Sequence, residues 1–313
     1  MAEPLLHIRD SYFFEVPKAI WPVHYDKLSE VPDFLREAHP GYSPEEWSHE
    51  MSGKILIPQI FGGKLKNLYE PASGFCLSRF MIVELVVALL MVLLFVKLAR
   101  SIRGGERPRG RIANMFEAFL EYLRDQVARP AIGAHDADRF LPLLWTVFFF
   151  VLLCNLMGMV PWVGNPTGEW AVTLVMALIT FFTVLGAGMA KFGPVGFWLN
   201  QVPSMDLPWW LWFLKPVIWA IEVFGLLIKH AILSIRLLAN MVAGHLVLLG
   251  ILGLIVAAGE AVASVNFQFT ITAVIGVLGS AAFTLLELFV AFLQAYIFTF
   301  LSALFIGAAI HHH

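Results

Sequence analysis

The stretch 221–246 reads IEVFGLLIKHAILSIRLLANMVAGHL, apolar enough for the middle of a membrane helix yet carrying Glu222, Lys229, His230, Arg236, Asn240 and His245. An arginine at the centre of a bilayer helix costs roughly 2.5–3.5 kcal/mol on insertion scales, so such groups face protein or water and mark an ion path. The guanidinium of Arg236 does not deprotonate in a protein, so it can hold a field but cannot relay a proton. The carboxyl and imidazole groups around it can.

A helix must position them. At 100° per residue Glu222, Lys229 and Arg236 recur at sevenfold spacing on one stripe, with Asn240 one turn beyond Arg236. His245, nine residues past Arg236, falls about 180° away on an ideal helix. Two polar faces thus leave one central cation in two directions. Within one straight helix Arg236 cannot pair with Glu222, because the intervening rise is ~21 Å.

Three motifs carry a family resemblance. Ser234-Ile235-Arg236-Leu237-Leu238-Ala239-Asn240-Met241-Val242-Ala243-Gly244-His245 resembles the signature of subunit a of the F-type ATP synthase. Leu293-Gln294-Ala295-Tyr296-Ile297-Phe298-Thr299 resembles its companion on the last helix, and Asn155-Leu156-Met157-Gly158-Met159-Val160-Pro161 a motif that closes an earlier one. Order and spacing agree across residues 80–310.

Composition places the whole chain in a membrane. Of 313 residues 59% are hydrophobic, and the 21 basic and 23 acidic side chains avoid the long apolar runs, as in an all-α integral membrane protein. A net charge of −2 points to no nucleic-acid partner. Cys76 and Cys154 have neither disulfide-framework nor metal spacing, and no cofactor or metal is expected. The layout is about five membrane helices plus one interfacial amphipathic helix.

Residues 1–78 form an N-terminal extramembrane extension, longer than the resemblance implies, which serves as a cap or contact surface or remains a loosely ordered tail. Within it Ser43-Pro44-Glu45-Glu46 reads as a helix start. The first membrane helix is 79–103, built on the apolar run 81–96 with Glu84 near its start. Lys97, Arg100, Arg103, Arg107, Arg109 and Arg111 follow against a single acid, Glu106, which puts this loop in the cytoplasm and the N-terminus outside. Region 104–138 holds that loop and a helix from Arg111 to Arg129. Its apolar Ile112, Met115, Phe116, Phe119, Leu120, Leu123 and Val127 oppose Glu117, Glu121, Arg124 and Asp125, so it lies on the inner membrane surface or packs on other subunits. Region 139–191 is a transmembrane hairpin turning at 164–168.

Region 205–313 holds two helices that are too long. As single helices, 209–257 would extend ~70 Å and 267–310 ~65 Å, against a hydrocarbon core of ~30 Å. Tilts of up to about 40° do not absorb the excess. Either both are broken or they lie steeply inclined against a curved partner. The resemblance implies the second, an antiparallel inclined pair wrapped around a c-subunit ring.

The resemblance further implies rotary proton transport. Arg236, level with Gln294, would separate two offset half-channels and attract the ionised carboxylate of each passing c subunit. His245 and Glu287 would form the outer half-channel at similar depth, with Asn240 and Gln294 as wall residues, and Glu222 would release protons inward. Burial and mutual proximity shift an acid and an imidazole in opposing senses, so such a pair exchanges protons near neutral pH and titrates jointly. Lys229 can snorkel to the inner surface, Asn155 reads as interhelical glue, and Glu84 and Glu260 as solvated span ends. The trailing His311-His312-His313 is assigned nothing.

A self-contained cation channel or cation/proton antiporter would use similar buried charges. It differs in needing a continuous pore within the chain. A di-haem cytochrome needs histidines on facing helices, whereas His230 and His245 share one. No phosphate-binding glycine loop or catalytic triad is present, so the chain is expected to be non-catalytic, with ATP chemistry in other subunits. Expected partners are the c ring, peripheral-stalk b subunits, other synthase subunits and the bilayer; the expected location is a bacterial inner membrane, C-terminus cytoplasmic.

Overall fold

Among the described residues, five helices are long and apolar enough to cross a membrane: Arg79–Arg100, Ala137–Gly158, Trp170–Phe192, Leu214–Ala257 and Thr270–Ile310. In hydrocarbon a helix satisfies its backbone hydrogen bonds within itself, which is why runs of this composition fold this way. The computed structural model describes residues 9–102, 110–160, 162–199, 214–260 and 267–311. Arg103, Glu106, Arg107 and Arg109 of the basic loop, Pro161, the start of the first long helix at Trp209, His312 and His313 lie outside the described residues.

In chain order the elements are β1 (Phe13–Glu15), α1 (Asp33–Ala38), α2 (Pro44–Met51), β2 (Lys54–Leu56), β3 (Lys64–Leu65), β4 (Pro71–Ser73) and α3 (Arg79–Ile102). There follow α4 (Arg111–Tyr122), a π-helical segment Leu123–Ala128, α5 (Arg129–Ile132), α6 (Ala137–Gly158), α7 (Trp170–Phe192), α8 (Pro194–Leu199), α9 (Leu214–Glu260) and α10 (Phe267–Ile310). Both long helices are therefore unbroken over their described lengths. The chain divides into two compact units. One holds Met1–Leu89, Leu153–Glu169 and Gly244–Thr284; the other holds Leu90–Leu152, Trp170–Ala243 and Leu285–His313.

The first unit contains the N-terminal segment. β1 pairs antiparallel with β2, Phe13 opposite Leu56 and Glu15 opposite Lys54. Leu35 of α1 and Trp47 and Met51 of α2, the latter two one turn apart, close on Phe13, Val31 and Leu68. A segment for which a loosely ordered tail was one expectation thus has its own hydrophobic core. The helix start at Ser43 is as expected: its Oγ accepts from the Glu46 amide at 3.3 Å while Glu46 accepts from the Ser43 amide at 2.7 Å, with Pro44 at the first position. That backbone bond holds the Glu46 carboxyl below its usual range.

The same unit closes the α6–α7 turn. Thr167 Oγ1 lies 2.7 Å from both Asn155 Oδ1 and Asn165 Oδ1, all three residues being buried. A Cβ on Gly158 would overlap the Asn165 side chain, so glycine there lets the turn close without displacing Asn165. Asn155 is accordingly part of a turn lock. Glu84, expected to be solvated, instead has one carboxylate oxygen buried without a hydrogen-bond partner.

In the second unit the amphipathic helix spends much of its apolar face inside the chain. Phe116 packs on Phe149 with ring centroids 5.4 Å apart, Phe119 on Phe148 at 6.2 Å, and Tyr122 on Tyr296 of α10 at 6.3 Å. Trp145 Nε1 donates to Leu120 O at 3.2 Å, while Ile112 and Met115 stay exposed. The π-helical turn buries Leu123, Val127 and Ala128. Past it, α5 meets α10 so closely that a Cβ on Gly307 would overlap the Ala131 carbonyl. The His311 Nε2 lies 2.9 Å from Ile132 O, so the first of the three terminal histidines docks on this junction.

Candidate functional site

Two helix faces build the site in the second unit. On α9 the buried residues are His230, Leu233, Ser234, Leu237 and Met241, recurring at three and four residues as a packed helix face must. On α10 between Glu287 and Ile306 they are Glu287, Ala291, Gln294, Ala295, Phe298, Thr299, Ser302, Ala303 and Ile306, in the same rhythm. Many of these are small, which lets membrane helices approach closely and brings side-chain amides within reach of each other.

Arg236 and Asn240 sit beside the packed face of α9. At 100° per residue they fall about 115° and 75° to one side of its centre, together with Glu222 and Lys229. Asn240 Nδ2 donates to Gln294 Oε1 at 2.7 Å. Gln294 is 1% exposed, and its own Nε2 is buried without a hydrogen-bond partner. The partner of Gln294 is thus Asn240, one turn on from the arginine with which the resemblance sets it level.

Arg236 is half-buried, and among the described residues no hydrogen bond or ion pair reaches its side chain. Next around the helix come Ile228, Ile232, Ile235 and Ala239, all exposed. On the neighbouring stretch of α10, Leu285, Leu286, Leu288, Phe289, Phe292 and Leu293 are exposed as well. The cation therefore stands at the border between a packed helix face and an open apolar one. A cation so placed can bind a carboxylate brought from outside the chain and cannot exchange protons with it.

The remaining candidates distribute as follows. Glu287 is buried at 7% exposure, seven residues before Gln294 on α10. Glu222 is half-buried and Lys229 exposed. His245 is half-buried and belongs to the first unit, one residue past the point where α9 passes between units. The Glu260 side chain lies outside the described residues. His230 is buried between the rings of Phe181 and Phe305, centroids 5.2 and 4.9 Å away, with Nδ1 2.9 Å from Leu226 O. That is a packed histidine, and its Nε2 has no hydrogen-bond partner.

One further link leaves only a faint trace in the sequence. Ser234 Oγ donates to Thr173 Oγ1 at 3.2 Å, and Thr173 Oγ1 donates to Trp170 O at 3.1 Å, tying α9 to α7 two residues before Arg236. Buried hydroxyls on facing membrane helices are the available signal, and Thr173, Thr180 and Ser234 all fit it.

The sequence is similar to those of known proteins. The family profile of the ATP synthase A chain matches residues 81–307. The chain is 43% identical over 274 residues to ATP synthase subunit a of Myxococcus xanthus (strain DK1622), covering 86% of each chain. It is 40% identical over 304 residues to ATP synthase subunit a 2 of Chlorobium luteolum, covering 95% of this chain and 82% of that one. To ATP synthase subunit a of Anaeromyxobacter sp. (strain Fw109-5) it is 34% identical over 315 residues, covering 98% and 70%.

Proposed function

We propose, since this chain belongs to the ATP synthase subunit a family of the F-type enzyme, that it is the non-catalytic stator through which protons reach and leave a rotating c-subunit ring. Arg236 carries the reading: a permanent cation, half-buried at the edge of an open apolar face, with no counter-charge among the described residues. Its counter-charge is then the carboxylate of a passing c subunit. At an effective dielectric of 20, opposite charges ~4 Å apart interact by about 4 kcal/mol, enough to favour loss of that carboxyl's proton. The driving term is of similar size, about 2.3 kcal/mol per charge across 100 mV.

Because Arg236 cannot pass a proton, flux divides into two passages that meet only through the ring. His245 and Glu287 are assigned to the outer passage with Asn240 and Gln294 in its wall, and Glu222 to the inner. α9 and α10, each longer than a bilayer is thick, lie inclined against the ring's curved surface. Peripheral-stalk b subunits hold the stator in place. The basic stretch from Lys97 to Arg111 sets the N-terminus outside and the C-terminus in the cytoplasm of a bacterial inner membrane.

The test is ATP-driven proton pumping in vesicles containing the assembled complex. Arg236→Ala abolishes coupled pumping while the complex still assembles, and Arg236→Lys does not restore it, because lysine deprotonates and lacks the planar fork. Coupled pumping retained in the alanine variant would end this reading.

A further inference from the structure

The N-terminal segment displays two apolar patches, at opposite ends of the β1–β2 pair. Ile20 and Trp21 follow the Glu15/Lys54 end, and Ile60 and Phe61 follow the Phe13/Leu56 end. The second end is the one tied to the membrane helix. Arg79, first residue of α3, donates its amide to Ser11 O at 2.8 Å, and Ile57 donates to Tyr12 O at 2.9 Å.

That end is built to hold its apolar side chains out. Ile60, Phe61 and Phe75 are 75%, 65% and 57% exposed, and the rings of Phe61 and Phe75 meet edge to face at 5.7 Å. Gln59 clamps the loop to the start of the span: its Nε2 donates to Leu77 O at 3.1 Å and its Oε1 accepts from the Leu77 amide at 2.7 Å. Gly62 (φ +72°) and Gly74 (φ +77°) take left-handed backbone conformations, and Gly62 bridges to Phe75. A clamp two residues from Arg79 would be pointless for a floppy tip; it fixes where these side chains sit relative to the membrane helix.

From this continuity with the first span we propose that Ile60, Phe61 and Phe75 form an apolar foot seated in the lipid headgroup–acyl boundary, planting the N-terminal segment on the membrane beside α3. Surface segments with apolar side chains such as phenylalanine on one face and lysines beside them seat in that boundary. Exposed Lys64, on the strand that follows the loop, and exposed Lys66 just past it, whose ammonium stands 4.0 Å from Glu70, have stems long enough to reach lipid phosphates. Ile20 and Trp21, at the other end of the strands, take no part.

Site-directed spin labelling of the assembled complex in liposomes tests this. In a Cys76→Ser background, where the remaining Cys154 is buried, labels are placed singly at Phe61→Cys and Phe75→Cys. Lys27→Cys serves as an aqueous reference, and Leu89→Cys, at an exposed position inside the first apolar span, as a membrane-depth one. Collisional relaxation is measured with oxygen, which partitions into lipid, and with a neutral nickel chelate, which stays in water. The foot predicts an oxygen-to-nickel ratio at 61 and 75 several-fold above that at 27 and approaching that at 89. A ratio equal to that at 27 overturns the proposal, and so does protection from both reagents, which would mean that a neighbouring protein covers the patch. If Phe61→Cys fails to assemble, Ile60→Cys reads the same surface.

Discussion

Gln294→Leu separates conduction from packing. Gln294 is fully buried, accepts the Asn240 amide at 2.7 Å, and buries its own Nε2 without a partner. Leucine removes a hydrogen bond worth about 0.5–1.5 kcal/mol net, but also an orphan N–H whose burial costs about 1–3 kcal/mol. The sum runs from about 0.5 kcal/mol of lost stability to about 2.5 kcal/mol gained. Asn240 is exposed and can turn its freed amide elsewhere. Proton flow has no such compensation, because a leucine offers a water chain neither lone pair nor N–H. For a wall residue of the proposed passage, losing one hydrogen bond of about 1–1.5 kcal/mol to the water chain at the barrier slows flux about five- to thirteenfold. Passive proton flux and ATP-driven pumping in proteoliposomes measure the second effect; thermal dissociation of the assembled complex measures the first. Normal flux from a less stable complex would refute the reasoning and leave the amide pair as interhelical glue.

Two further substitutions probe the site and its support. Glu287→Gln keeps side-chain shape while removing the titratable group, so proton flux should fall with assembly retained; unchanged flux would take Glu287 out of the path. Gly307→Ala sets a Cβ against the Ala131 carbonyl, a backbone atom that no rotamer change can move aside. Overpacking of this kind costs about 1–3 kcal/mol. The expected result is less assembled complex on a blot, whereas Gly279→Ala, where nothing lies within 4 Å, should accumulate normally. Equal amounts of the two variants would show that the α5–α10 approach is looser than it looks.

Local chemistry was legible without coordinates. The cap at Ser43 depends on residues three apart and the membrane spans on unbroken apolar runs, and both are present as read. The amphipathic pattern of 111–129 was equally plain, but pattern alone does not name what covers a face. Aromatic packing on Phe148, Phe149 and Tyr296 does, and it lies within the same chain. His230 illustrates the converse. In sequence it is one more polar group near Arg236, yet its neighbours in space are Phe181 and Phe305.

The amino-acid order by itself determined that this chain lives in a membrane, that Arg236 is its anomalous charge, and on which helical stripe that charge falls. Those properties follow from composition and from a period of 3.6 residues, neither of which needs a distant neighbour. Tertiary structure alone decided that Gln294 meets Asn240, that Arg236 finds no counter-charge among the described residues, and that residues 9–78 close around a core of their own. Asn240 and Gln294 stand 54 residues apart. Their meeting depends on how closely two helices pack along stripes of small side chains, and helical periodicity carries no information about that distance.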